Sequence, residues 1–79
     1  MIGDKMLIYN RDTGQFFSRW RVKRAGREPI WCDWAHGAHV FSVIRDALSV
    51  KEELGMGVRI VSETEGRKID ALRKYREAK

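Results

Sequence analysis

Cysteine, proline and long apolar runs are scarce in this 79-residue chain, and each shortage closes off a class of explanation. A single cysteine, Cys32, leaves no intrachain disulfide to support a small core, so a reducing, intracellular setting is expected. The one proline, Pro29, acts as punctuation, and no linker, repeat or low-complexity segment divides the sequence. No apolar run approaches the length of a membrane span. The first residues, Met1-Ile2-Gly3-Asp4-Lys5-Met6, lack the basic start and apolar stretch of a secretion signal. A cytoplasmic protein with no membrane partner is therefore expected.

Acidic residues are missing from one place in particular. Between Arg11 and Arg27 there are six bases (Arg11, Arg19, Arg21, Lys23, Arg24, Arg27) and one acid, Asp12. That local excess equals the net charge of the whole chain, +5. From Glu28 to Glu63 the balance is acidic, and from Thr64 to Lys79 six bases face three acids. Solubility alone is served by interspersed signs, whereas segregated charge presents a field to a partner. The charge pattern points to a binding module.

The local patterns outline an α+β fold. Met6-Leu7-Ile8-Tyr9 has the composition of a strand, and Asn10-Arg11-Asp12-Thr13-Gly14 supplies turn chemistry. Gln15 to Arg24 alternates, placing Phe16, Ser18, Trp20 and Val22 on an expected core face. Phe17, Arg19, Arg21 and Lys23 fall on an expected basic face. Ala25 to Pro29 reads as a break, and Ile30 to Trp34 as a short third strand. Ser42 is the expected N-cap of the main helix, which ends at Leu54 before Gly55. Val43, Ile44, Ala47, Leu48, Val50 and Leu54 would form its buried side. A further strand is expected over Gly57 to Glu63. Residues 64–79 form a basic tail or helix whose thin stripe of Ile69, Leu72 and Tyr75 docks weakly. The expectation is thus ββ(β)αβ: a mainly antiparallel sheet of three or four strands on one main helix, residues 1–63, followed by the C-terminal basic helix, residues 64–79. An exposed edge at the Met6 or Val58 strand leaves monomer and homodimer both open.

Residues two apart on a strand are separated by about 6.6 Å, close to the spacing of phosphates along a nucleic-acid strand. Arg19, Arg21 and Lys23 are therefore placed to follow a backbone, with Arg11, Arg24 and Arg27 extending the footprint. Of Trp20, Trp31 and Trp34, the first alternates with the cations and is expected inside. Trp31 and Trp34 lie in irregular sequence, and Trp31 is the candidate exposed anchor. Cys32, Asp33, His36 and His39 supply metal-type donors within eight residues, but no second dyad completes a closed site. Sequence neighbours on a short loop also orient poorly as nucleophile and base. Gly55 and Gly57 follow a helix, whereas phosphate-binding glycines precede one. No metal, no cofactor and no enzymatic activity are expected.

The run Leu7-Ile8-Tyr9-Asn10-Arg11-Asp12-Thr13-Gly14-Gln15-Phe16-Phe17, a tryptophan-bearing segment, and Ala38-His39-Val40-Phe41-Ser42 leading into a helix resemble small accessory proteins of bacteriophages and prophages. Several proteins of this size class are anti-CRISPR inhibitors. The resemblance implies a non-catalytic blocker that docks on an RNA-guided effector or another nucleic-acid-handling complex, in a bacterial or phage-infected cell. A DNA mimic would be acidic, so the basic face implies an acidic protein surface instead. The alternative is direct, largely non-specific DNA or RNA binding through the same residues, Arg11, Arg19, Arg21, Lys23, Arg24, Arg27 and Trp31.

Overall fold

Asn10 ends the first strand by folding its side chain over the turn that follows. Its Oδ1 accepts the N–H groups of Asp12 (2.9 Å) and Thr13 (3.3 Å), and its carbonyl accepts the Gly14 N–H at 2.8 Å. Gly14 completes the reversal with φ +74°, a conformation that glycine adopts without steric cost. The computed structural model describes residues 5–55 and 57–77; Met1–Asp4, Met56 and, from the basic tail read above, Ala78 and Lys79 lie outside the described residues.

The turn joins β1 (Met6–Asn10) to β2 (Gln15–Lys23), which hairpins into β3 (Gly26–Cys32). Helix α1 (Ile44–Leu54), strand β4 (Val58–Ser62) and helix α2 (Glu63–Glu77) complete the chain. The sheet order is β3-β2-β1-β4 with every neighbour antiparallel, so the fold is α+β as expected. No helix among the described residues is long and apolar enough to cross a membrane.

Adjacent residues of a strand face opposite ways, yet Leu7 and Ile8 are both buried, as are Phe16 and Phe17. Both sheet faces are therefore covered. Ile8 and Phe17 pack with Phe41, Ala47 and Val58 beneath α1. Leu7 and Phe16 pack with Ala35, Val61 and Ile69 beneath α2 and the short 3-10 turn Ala35–Gly37. This corrects the expected one-sided sheet: Phe17, assigned to the basic face, is core beneath α1, and α2 covers the opposite face.

A β-bulge accounts for the rest. The β2–β3 register passes from Phe17↔Trp31 to Arg19↔Ile30, leaving Ser18 unmatched. The extra residue puts Trp20 on the same face as Phe17, so simple alternation fails there. Beyond it Val22, expected in the core, is 84% exposed. The sheet also splits at this point. β1 and β2 pair only at Tyr9↔Phe16 and Asn10↔Gln15. Residues 39–41 occupy the gap, with His39 N–H donating to the Phe17 carbonyl (2.9 Å) and Phe41 exchanging two bonds with Met6 (2.8 and 2.9 Å). Of the two strands expected as possible open edges, β1 is thereby enclosed, while β4, the Val58 strand, is an edge, with β3 the other. Pro29 sits within β3, not in a break before it, because an edge strand tolerates the missing donor.

The helices differ from expectation at their attachments. The α1 cap position is Val43 without a side-chain cap, while Ser42 Oγ accepts a bond from Lys5 Nζ at 3.3 Å. Only Ala47 of α1 is fully buried, and Val43, Ile44 and Leu48 are about half exposed. Helix α2 begins under a Ser62 cap, whose Oγ accepts the Glu65 N–H at 3.0 Å. Of its expected stripe only Ile69 is covered; Leu72 and Tyr75 are 60% and 61% exposed. Its attachment instead uses Gly66, Asp70 and Arg73. A Cβ at Gly66 would lie 2.6 Å from Leu7 Cδ1 and 3.2 Å from Ala35 Cβ, so the helix approaches where glycine alone fits. Both Asp70 carboxylate oxygens accept the Ala35 N–H at 2.9 Å. The Arg73 guanidinium donates to the carbonyls of Asp33 and Gly14.

Candidate nucleic-acid interface

Past the bulge, β2 and β3 leave the sheet as a two-stranded ribbon. Every residue from Arg21 to Arg27 is exposed. A two-residue loop, Arg24-Ala25, closes it between Lys23 and Gly26. Alternation resumes within the ribbon. Trp20, Val22 and their partners Pro29 and Arg27 share the α1 side, while Arg19, Arg21 and Lys23 share the α2 side with Ile30 and Glu28. The basic face is therefore real, but it begins at Arg19.

Its electrostatics are nearly one-signed. Glu28 is the single acid, 3.8 Å from Arg21 and 3.1 Å from Lys23. Arg19 and Arg24 form no ion pair among the described residues. Exposed pairs of this kind contribute about 0–1 kcal/mol, too little to explain why four cations gather on one ribbon.

The other candidates fall elsewhere. Arg27 lies on the opposite face and is committed internally: its guanidinium grips Glu53 of α1 (Nη2–Oε1 2.6 Å, Nε–Oε2 3.0 Å) and lies 4.2 Å from the Trp20 ring centroid. Arg11 sits on the β1–β2 turn, at the other end of β2, with its N–H on the Gly57 carbonyl at 3.0 Å. Trp31 is half-buried on the α1 side, edge-on to Phe17 at 6.2 Å. Arg19, Arg21 and Lys23 share one face of the ribbon, and Arg24 lies in the loop at its tip.

The loop donors do not converge either. The His36 ring lies near-parallel to Trp34, whereas His39 packs on Phe41 at 4.5 Å. No three His, Cys, Asp or Glu among the described residues are grouped to hold a metal ion. The Cys32 thiol donates to the Trp34 carbonyl at 3.3 Å. Burial raises its pKa above the ordinary value; a hydrogen bond from the Trp34 backbone to the sulfur lowers it, and Asp33 and Asp70 raise it further. The thiolate needed for nucleophilic attack is thereby disfavoured at neutral pH.

A groove that the sequence reading missed lies between the 3-10 turn and α2. Trp34, His36, Arg67, Asp70, Ala71 and Lys74 line about 530 Å³ of open space. The helical signal for it was present: residues 67, 70, 71 and 74 share one face of any helix. What was missing was the other wall, some forty residues away in sequence.

Comparison with known proteins adds no relative: no family model matches the chain, and no curated protein or solved structure matches significantly.

Proposed function

We propose that this chain is a non-enzymatic binding protein that engages the backbone of nucleic acid through its β2–β3 ribbon. The observation that supports this reading is the exposed set Arg19, Arg21 and Lys23 on the ribbon face away from α1, with Arg24 at the tip and Glu28 the one acid paired with them among the described residues. Arginine suits phosphate because its planar fork donates two parallel bonds, and four cations in a row follow a backbone without reading bases. The hydrogen-bonded hairpin holds their spacing, and the Arg27–Glu53 clasp ties its outer face to α1.

If each of the four cations neutralises one phosphate, log K falls against log salt with a slope of about −2.8 on single strands and −3.6 on duplex. Between 50 and 200 mM salt that is a loss of about 50-fold and 150-fold respectively. Fluorescence anisotropy with labelled oligonucleotides measures it. Arg19→Glu, Arg21→Glu and Lys23→Glu together should abolish binding while leaving the circular dichroism spectrum intact. No binding by the unaltered protein at 50 mM salt would overturn the reading. The same cations would then be assigned to an acidic protein surface, as in a phage-type inhibitor of a nucleic-acid-handling complex.

A further inference from the structure

We infer that the groove between Trp34–His36 and α2 is a base-stacking subsite, and that the nucleic acid it takes is single-stranded. The inference rests on the ribbon reading above and extends it to a second surface. Three observations carry it.

The first is the aromatic wall. The rings of Trp34 and His36 are within 11° of parallel with centroids 6.4 Å apart, so both present flat faces in one orientation. Base–aromatic stacking is tolerant of sequence and needs unpaired bases, since a duplex hides their faces. The second is charge complementarity. Arg67 and Lys74 border the groove, and among the described residues Arg67 has a single 3.8 Å pair with Glu63 while its side chain is 75% exposed. Asp70, the acid of the lining, is occupied by the Ala35 N–H. Ala71 leaves the floor open by its small size. The third is position. The Gly37 carbonyl, next to His36, accepts the Ser18 hydroxyl at 3.2 Å, and Arg19 is the next residue of β2. The groove therefore meets the root of the ribbon on the same side of the sheet as Arg19, Arg21 and Lys23. A strand stacked on Trp34 would have the root of the cationic ribbon face beside it.

The platform is held before any ligand arrives. On one side of Trp34, Arg73 grips the Asp33 carbonyl; on the other, Asp70 holds the Ala35 N–H. The Trp34 carbonyl accepts from Cys32 Sγ and from the Gly37 N–H at 3.1 Å. The Arg73 guanidinium also lies 5.5 Å from the Trp34 ring centroid. Such preorganisation lowers the ordering cost of binding.

The test compares a twelve-residue oligothymidine with a duplex of the same length, using Trp34→Ala, Trp34→Phe and the ribbon triple variant. Trp34→Ala should weaken single-strand binding by about 5- to 150-fold, the range of one lost stack, with the duplex affinity and the salt slope unchanged. Trp34→Phe should restore most of the loss, and the ribbon variant should lose both ligands. Unchanged single-strand affinity in Trp34→Ala, beside salt-dependent binding by the unaltered protein, overturns this inference and leaves the ribbon reading standing. Equal losses on duplex and single strand also overturn it. No binding by the unaltered protein removes both. Should Trp34→Ala fail to fold, the surface pair His36→Ala and Lys74→Glu replaces it, with the same selective loss expected and an unchanged single-strand affinity overturning the inference.

Discussion

The two halves of β2 share a hydrogen-bonded strand and little else. At its root, Phe16 and Phe17 are buried on opposite faces between two helical layers; at its tip, Arg21 to Lys23 are exposed on both. One unmatched residue, Ser18, separates these regimes. The comparison teaches that burial in a strand is decided by what covers each face and not by the strand's own alternation. It also shows a division of labour: the root fixes the fold, and the tip is free to carry charge.

The contrast is tested most strongly by cutting one residue at each end back to alanine. Phe16→Ala should cost about 3–5 kcal/mol in urea denaturation, because it opens a cavity under α2. Val22→Ala at the tip should change stability by less than about 0.5 kcal/mol. Similar effects at the two sites would mean that the tip is packed after all. The cover over the root is probed by Gly66→Ala. Helix propensity alone favours alanine by about 1 kcal/mol. The added Cβ, however, meets Leu7 and Ala35, neither of which is a flexible chain end free to withdraw into solvent. Overpacking of this kind costs about 1–3 kcal/mol, so a net loss of stability is expected; a gain would show that α2 sits farther from the sheet. Arg27→Ala should also have only a small effect on stability. Its clasp to Glu53 is half exposed and contributes about 0–1 kcal/mol. Amide exchange should nonetheless quicken across the ribbon while the sheet at Leu7 and Ile8 stays protected.

The sheet, its first turn and its last strand were legible because their signals are local. Asn10 and Gly14 carry the turn in their own chemistry, and Val58 to Ser62 follows the glycine stop of α1. The bulge was not legible. Adjacent phenylalanines with alternating neighbours permit either a one-sided strand or a strand covered twice, and only the partner layers choose. The attachment of α2 was hidden for another reason: it depends on a glycine, a carboxylate and a guanidinium, which sequence reading assigns to solvent. Of the proposed interface, the row Arg19, Arg21, Lys23 and Arg24 was readable from spacing. Arg11, Arg27 and Trp31 share its composition but not its place, because the bulge and the ribbon's two faces send them elsewhere. Trp34 was named only as one of two tryptophans in irregular sequence, since its groove needs α2 as a wall.

The strand order has a consequence for how the molecule is made. β1 lies inside the sheet, yet β4, the strand it pairs with along its whole length, is separated from it by most of the sequence, with Met6 opposite Ser62. During synthesis the first hairpins emerge early with Leu7 and Ile8 lacking both their outer neighbour and the helix that β4 leads into. A two-stranded hairpin is marginal in water. Consolidation therefore waits until nearly the whole chain has left the ribosome, and the ribbon's cations are in solution before the core that supports them exists.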